Sequence, residues 1–330
     1  KMFLLLIAML FAISAAASCG SGGSGGSGTP TPPITVGSGS GGPDVYYFDA
    51  VDGVSGFEIW KTDGTEAGTV MVRDIAAVWG SNPDNFTPFN GEVYFRADDG
   101  INGNELWKTD GTVNGTQMVL NINPTNTNNF PGSSSPQGFI VFNGELYFAA
   151  ADGASGRELW KTNGTTQGTV MVKDINGAGA DNSSYPSDFT VFNGALYFRA
   201  DDGANGRELW KTDGTTNGTV MVKDINTFNE SIPLGFTVFN GALYFSADDH
   251  ANGRELWKTD GTTNGTVMLK NINLSVSSDS RPSDFKLLNG ALYFFADDGV
   301  SGNELWKTDG TGDGTVMVKD MCPGGCDGID

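Results

Sequence analysis

The chain has 330 residues, of which 39 are acidic and 19 basic, giving a formal net charge of −20. Binding a nucleic-acid backbone requires a basic surface, so this charge argues against nucleic acid as a partner. Glycine is abundant at 48 residues and no long helical pattern is present, which indicates many short strands joined by tight turns.

The chain begins with an apolar segment, residues 3–18, that runs directly into Cys19. This segment is shorter than the roughly 20 residues that span a bilayer. Its small-residue end, Ala16-Ala17-Ser18-Cys19, indicates a secretory signal with a lipobox, although Ala16 stands where leucine is usual. We predict that residues 1–19 direct export and that lipidated Cys19 anchors the protein at the outer membrane or cell surface. An ordinary cleaved signal is one alternative, and a retained hydrophobic helix in the core of an extracellular filament is another.

Residues 20–43 are a low-complexity segment rich in glycine, serine, threonine and proline. Gly/Ser-rich chains behave as flexible coil, and the short proline-rich run stiffens this one locally. The composition predicts a linker that holds a folded body away from a surface. That body is predicted to span residues 44–321, followed by a C-terminal tail, residues 322–330.

A repeated phrase, ELWKTDG, dominates the chain after the linker. Its tryptophans are spaced by 47, 53, 50, 47 and 49 residues, which is a repeat of about 49 residues, and they are Trp60, Trp107, Trp160, Trp210, Trp257 and Trp306. Self-similarity at such a period is the signature of repeat architectures.

Each repeat predicts four strands, best seen in residues 188–226. FTVF and ALYFRA flank Asn193-Gly194, and Asn-Gly between apolar runs is a strong hairpin signal. RELWKT and GTVMVKDI flank Asp213-Gly214, and the DDGANG loop joins the two hairpins. The longest and most variable connection follows KDIN, which places the boundary between repeats there.

Four strands in about 49 residues match the size of a β-propeller blade. Trp and Leu of the ELW phrase must point to opposite faces of their strand, so both faces are buried only if sheets stack on each side. We therefore predict an all-β, six-bladed propeller of four-stranded antiparallel blades, with an open solenoid as the competing architecture. The predicted blades are residues 34–75, 85–122, 138–175, 188–225, 235–272 and 284–321. The first blade is the most divergent, because its inner strand must be Ile34-Thr35-Val36 and its Asn-Gly turn is missing.

The phrase resembles the ELWxxDGT repeat family of bacterial secreted and surface proteins. The resemblance covers roughly residues 44–321, with the flanking NGxLYFxADDG and GTxMVKDI also present. Departures are local: EIW at residues 58–60, Asn163 for the aspartate of TDGT, and His250 for the glycine of DDG. The resemblance implies a propeller-like body and export, and it supplies no activity or catalytic residues.

The sequence offers little to a catalytic mechanism. His250 is the only histidine, and it lies in a loop position where the other copies carry glycine. Histidine tolerates the left-handed conformation better than most residues, so a turn is the simpler interpretation. The carboxylates recur in every copy, whereas one active site would break the symmetry. We therefore predict that the protein is not an enzyme.

Cysteines are few. Cys322 and Cys326 lie in a CPGGC segment just after the last strand, and an exported protein favours a disulfide between them.

Calcium is the one cofactor that the sequence suggests. The DDGxxGxE loop between the second and third strands combines carboxylates with a glycine-rich turn, and Ca²⁺ prefers six to eight oxygen ligands. Plain turn chemistry is the alternative, because Asp-Gly is also an ordinary turn sequence. The candidate calcium ligands are Asp98, Asp99, Glu105, Asp201, Asp202, Glu208, Asp248, Asp249, Glu255, Asp297, Asp298 and Glu304.

These observations favour an exported, surface-anchored structural or interaction module. Its expected partners are the membrane, through the N-terminus, and a protein or glycan contacted through the loops, or further copies of itself. A filament subunit and a lectin-like ligand binder are the alternative functions. Aromatic residues clustered in one set of loops would favour the ligand binder.

Overall fold

The computed structural model describes residues 34–36, 44–127, 130–177, 182–275, 278–323 and 328. All of them belong to one compact unit, Thr31–Asp330. The predicted export signal with Cys19, most of the linker and Cys326 lie outside the described residues. Within the described ranges, no helix is long and apolar enough to cross a membrane.

The strands form six four-stranded antiparallel sheets, numbered 1 to 6 along the chain, and each sheet has its strands in sequence order. Sheet 1 contains β1 (Ile34–Val36), β2 (Val45–Val51), β3 (Phe57–Thr62) and β4 (Val70–Arg73). Sheet 2 contains β5 (Asp84–Phe89), β6 (Glu92–Asp98), β7 (Asn104–Thr109) and β8 (Gln117–Leu120). A short hairpin of β9 (Asn126–Thr127) and β10 (Phe130–Pro131) follows in the loop to sheet 3.

The remaining four sheets repeat the same plan. Sheet 3 contains β11 (Gln137–Phe142), β12 (Glu145–Ala151), β13 (Arg157–Thr162) and β14 (Val170–Lys173). Sheet 4 contains β15 (Ser187–Phe192), β16 (Ala195–Asp201), β17 (Arg207–Thr212) and β18 (Val220–Lys223). Sheet 5 contains β19 (Leu234–Phe239), β20 (Ala242–Asp248), β21 (Arg254–Thr259) and β22 (Val267–Lys270). Sheet 6 contains β23 (Ser283–Leu288), β24 (Ala291–Asp297), β25 (Asn303–Thr308) and β26 (Val316–Lys319).

The predicted turns form as the sequence requires. Asn193 and Gly194 connect β15 to β16 with φ of 46° and 73°, which is the pair of positive values that a tight hairpin turn needs. The predicted all-β architecture of six four-stranded antiparallel units is therefore confirmed.

Neighbouring sheets stack face to face, and the first strands of successive sheets lie side by side, from β1 and β5 through to β19 and β23. In sheet 4, Trp210 packs on sheet 3 and Leu209 packs on sheet 5. Both side chains are buried, with exposed fractions of 6% and 0%. The stacked arrangement explains why the ELW phrase carries two large apolar residues in succession.

Five of these sheet-to-sheet cores are present, but among the described residues none joins sheet 6 to sheet 1. Tyr46 on the outward face of sheet 1 is 41% exposed, and Leu288 on the outward face of sheet 6 is 55% exposed. The described sheets are therefore propeller-like in arrangement, and the ring predicted from the sequence is not closed.

The sequence departs from the repeat at both ends of the row of sheets. Leu288 replaces the phenylalanine that packs against tyrosine in sheets 2 to 5, as Phe192 does against Tyr197 at 5.5 Å between ring centroids. At the other end, β1 has only three residues and lacks the Asn-Gly turn. Both changes reduce the apolar surface that sheet 6 and sheet 1 offer each other.

Candidate functional site

The glutamate of each ELW phrase is fully buried, and in sheets 1 to 5 it organises the loop that leads to the next sheet. In sheet 4, the Glu208 carboxylate accepts hydrogen bonds from the Ile225 amide at 2.9 Å, from the Ser231 amide at 2.9 Å and from the Ser231 hydroxyl at 2.6 Å. Ile225 lies at the start of the loop and Ser231 at its end. One carboxylate therefore joins both ends of the connection.

This arrangement recurs in each loop between sheets, and it depends on a serine that sequence reasoning missed. The serine begins an S-x-P motif just before the first strand of the next sheet, at Ser81, Ser134, Ser184, Ser231 and Ser280. Each of these serines donates its hydroxyl to the glutamate of the preceding sheet at 2.6–2.7 Å. The motif was visible in the sequence, inside connections that otherwise vary.

Burial acts on the titration of these glutamates. It raises the pKa of Glu158, Glu208 and Glu255 to about 7, in spite of the hydrogen bonds from the loop, which favour the charged form. The nearby charges of Asp174 and Asp224 add to the effect at Glu158 and Glu208. Their fixed contacts in equivalent positions of the sheets indicate a structural role.

The aspartates of the DDG loop hold their own turn. The first, such as Asp201, accepts a hydrogen bond from the Gly203 amide at 2.7 Å. The second, such as Asp202, accepts from the amides of Ala204 and Asn205 at 3.0 and 2.8 Å. Asp98 and Asp99, Asp248 and Asp249, and Asp297 and Asp298 accept hydrogen bonds within their own turns in the same way.

The structure therefore separates the two halves of each predicted calcium site. The aspartates lie in the turn, while Glu105, Glu208 and Glu255 lie beneath the loop to the next sheet and Glu304 lies beneath the segment after β26, all fully buried. Among the described residues, no three carboxylate, histidine or cysteine side chains converge as a metal site would require. Calcium binding stays a prediction. The aspartates and the glutamate of one DDGxxGxE segment do not form a shared set of ligands among the described residues.

The DDG loops and the loops between sheets meet at the same ends of the strands, where the Asp201 amide donates to the Ser184 carbonyl at 2.9 Å. We call this side the loop face. Six large apolar side chains on its described part are at least three-quarters exposed, namely Val54, Trp79, Ile101, Phe228, Leu274 and Val300. They are spread over several loops of this face, whereas interaction surfaces are usually marked by contiguous exposed apolar patches.

Two of these side chains are aromatic and lie in the loops between sheets. Trp79 is 86% exposed and Phe228 is 81% exposed. The Phe228 ring lies 5.1 Å from the His250 ring of the next DDG loop, measured between centroids. His250 has a φ of 69°, the left-handed conformation expected at the position where other copies have glycine.

Two cavities open where a DDG loop meets the loop that follows its sheet. In sheet 2 the cavity has a volume of about 150 Å³ and is lined by Ile101, Asn102, Asn121 and Asn123 among others. In sheet 4 the cavity has about 180 Å³ and is lined by Asn205, Asp224, Asn226 and Phe228 among others. Amide groups with an apolar side chain at the rim suit a polar, uncharged ligand.

A wider cavity of about 390 Å³ lies along the first strands of sheets 4 to 6. Its carboxylates, Asp188 and Asp284, occupy β-bulges with φ of 59° and 53°. Asp188 pairs with Arg199 at 2.8 Å, which compensates part of its charge. Both aspartates occur at bulge positions where β11 and β19 have glycine. We therefore infer that their main role is to form the bulge.

Cys322 forms a disulfide bond. The predicted partner, Cys326, and the predicted lipidation site, Cys19, lie outside the described residues. The Cys322–Cys326 pairing and the lipidation of Cys19 therefore stay predictions.

No protein-family model matches the chain, and no curated protein matches it either. Among solved structures, a mutant puromycin hydrolase complexed with PGG matches with a TM-score of 0.50 and 14% identity, over 89% of this chain and 46% of that chain. Another puromycin hydrolase structure matches with a TM-score of 0.48 and 13% identity, over 92% and 46% of the two chains. A puromycin-hydrolyzing peptidase from Mycobacterium tuberculosis matches with a TM-score of 0.49 and 11% identity, over 88% of this chain and 44% of that chain.

The chain spans less than half the length of these peptidases. Because the identities are so low, the match to the mutant puromycin hydrolase bears on the fold alone. It agrees with a propeller-like arrangement of the six sheets.

Proposed function

We propose that the protein is an exported, non-enzymatic binding module that contacts an uncharged ligand, of the glycan class, through its loop face. The exposure of Trp79 and Phe228 on that face carries the proposal. Aromatic side chains offer a flat apolar surface at a low cost in conformational entropy, and a sugar ring has an apolar face that fits it. The net charge of −20 also favours a neutral ligand over an anionic one.

The N-terminal predictions belong to the same proposal. A lipidated Cys19 and a 24-residue linker, residues 20–43, would present the loop face away from the cell surface. The alternative is a filament subunit that keeps residues 3–18 as a hydrophobic helix. Mass analysis of the mature N-terminus separates the two, because only the filament subunit retains these residues.

We also propose that sheet 6 packs on sheet 1, so that the six sheets close into a ring. The outward face of sheet 1 carries Phe48 and Trp60, and the outward face of sheet 6 carries Tyr293 and Leu305. Equivalent residues pack together in all five sheet-to-sheet cores. Because both faces belong to one chain, their effective concentration favours packing within the molecule over packing between molecules.

Glycan-array binding of the full chain tests the proposed function. Trp79→Ala and Phe228→Ala should each weaken binding to the recognised glycan, because each removes an exposed aromatic surface. Val113→Ala is the matched control, since Val113 is also exposed, at 60%, but lies in the TDGT loop at the opposite ends of the strands. An array without any hit, or equal loss with Val113→Ala, would contradict the proposal.

A further inference from the structure

The residue after the fourth strand differs between the six sheets, and in sheets 2, 4 and 5 it lies against the DDG loop. It is aspartate in sheets 1, 3, 4 and 6 and asparagine in sheets 2 and 5, namely Asp74, Asp174, Asp224, Asp320, Asn121 and Asn271. The opposing DDG-loop residue is serine in sheets 1, 3 and 6 and asparagine in sheets 2, 4 and 5. Sheet 4 alone combines aspartate with asparagine, as Asp224 with Asn205.

In sheets 2 and 5 the two residues hydrogen-bond to each other. The Asn121 amide group donates to Asn102 Oδ1 at 2.8 Å, and the Asn271 amide group donates to Asn252 Oδ1 at 3.0 Å. Asn102 can only accept here, because its own amide group donates to Asp99 Oδ2 at 2.7 Å. In sheets 2 and 5 the Oδ1 atom of the DDG-loop asparagine is therefore satisfied by the amide group of the asparagine after the fourth strand.

Sheet 4 lacks that donor. The Asn205 amide group is committed to Asp202 Oδ2 at 2.8 Å, which leaves Asn205 Oδ1 as an acceptor. Asp224 has a carboxylate where sheets 2 and 5 have the donating amide group. Its Oδ1 is buried without a hydrogen-bond partner among the described residues, as are the equivalent Oδ1 atoms of Asn121, Asn271 and Asp320. Both residues line the 180 Å³ cavity. The cavity therefore presents two acceptors, Asn205 Oδ1 and the Asp224 carboxylate, to a donor that enters it.

We infer that this sheet-4 cavity is a subsite for one sugar ring, whose hydroxyl groups donate to Asn205 Oδ1 and to the Asp224 carboxylate and whose apolar face covers Phe228. The inference rests on the proposed function and names the site and the ligand class. Phe228 lines the same cavity, and its ring is supported by the His250 ring at 5.1 Å. A metal ion fits less well, because Asp224 is the only carboxylate that lines the cavity and Ca²⁺ takes six to eight oxygens.

Binding of glucose, galactose, mannose and N-acetylglucosamine to the full chain, followed by saturation-transfer NMR and calorimetry, tests the inference. Asp224→Asn should weaken binding about ten- to hundredfold, the loss expected for a hydrogen bond to a charged acceptor. The same change should raise the melting temperature, because the new amide group can donate to Asn205 Oδ1 as in sheets 2 and 5. Asn205→Ser, which recreates the aspartate–serine pair of sheets 1, 3 and 6, should also weaken binding.

Asp174→Asn is the matched control, because it removes the same charge at the equivalent position of sheet 3. It should leave binding unchanged. If the wild type binds a sugar and Asp224→Asn and Asn205→Ser bind it equally well, the sheet-4 subsite is wrong while the proposed function stands. If the wild type binds neither these sugars nor any arrayed glycan, both are wrong.

Discussion

The Glu208 side chain allows a direct test of how the loops between sheets are held. Glutamine at this position keeps the shape but places an amide donor against the donors Ile225 N–H and Ser231 O–H. We expect Glu208→Gln to lower the free energy of unfolding by about 1–3 kcal/mol, the cost of an unsatisfied buried polar group. Urea denaturation followed by tryptophan fluorescence measures this change.

Glu230→Gln is the control for that experiment. Glu230 lies in the same loop but is partly exposed, and its ion pair with Arg207 is 3.6 Å long. Partly exposed pairs contribute about 0–1 kcal/mol, so this variant should be close to the wild type. Equal losses for the two variants would show that the buried carboxylate has no special role.

The same glutamates predict how stability depends on pH. Burial raises the pKa of Glu158, Glu208 and Glu255 to about 7, above the ordinary value of 4.5. Between these two values the folded chain holds more protons than the unfolded chain, so its free energy of unfolding falls as the pH rises. We expect a higher melting temperature near pH 5 than near pH 8, measured at constant ionic strength. Glu208→Gln should make this dependence weaker, and a melting temperature that rises with pH would contradict the assignment.

The strands were predictable because their signals are local. Apolar alternation and the Asn193-Gly194 turn locate β15 and β16 within a residue or two of their observed bounds, Ser187–Phe192 and Ala195–Asp201. The partner of Glu208 was not predictable from the strand pattern, because Ser231 is 23 residues away and lies in a variable loop. Only the recurrence of S-x-P across the repeats indicated it. The calcium prediction grouped Glu208 with Asp201 because they are close in sequence, and it stays a prediction.

The DDG turns lead to an expectation for calcium. Asp202 Oδ1 already accepts two backbone amides, and its Oδ2 accepts the Asn205 amide group at 2.8 Å. A ligand that binds only the folded state raises the melting point, so a genuine calcium site must respond to the metal. We expect the same melting temperature in excess chelator and in millimolar calcium. If calcium raises the melting temperature and Asp202→Ala abolishes that increase, the DDG turns are metal sites.

Each sheet contacts the next through the same few residues, and among the described residues no such contact joins sheet 6 to sheet 1. The Lys173 ammonium group donates to the Thr219 carbonyl of the next sheet at 2.8 Å, and Lys223 donates to the Thr266 carbonyl at 2.8 Å. The equivalent Lys319 of sheet 6 is exposed. Sequence repetition predicts the contacts between successive sheets well, because every sheet carries the same residues on the two faces that form these contacts. It says less about closure, which depends on small rotations that accumulate over six sheets.

The TDGT glycines provide a test of ring closure. A Cβ at Gly214 would clash with the hydroxyl of Tyr147 in the preceding sheet, whereas a Cβ at the equivalent Gly64 of sheet 1 would meet nothing within 4 Å. The two positions have φ of 96° and 89°, so the backbone cost of alanine is similar, about 1–2 kcal/mol. Gly214→Ala should therefore cost more than this backbone term alone. If the ring closes in solution, Tyr293 of sheet 6 lies against Gly64 as Tyr147 lies against Gly214, and Gly64→Ala should destabilise the protein as much as Gly214→Ala. If Gly64→Ala costs only the backbone term in urea denaturation, the ring stays open and the proposed closure is wrong.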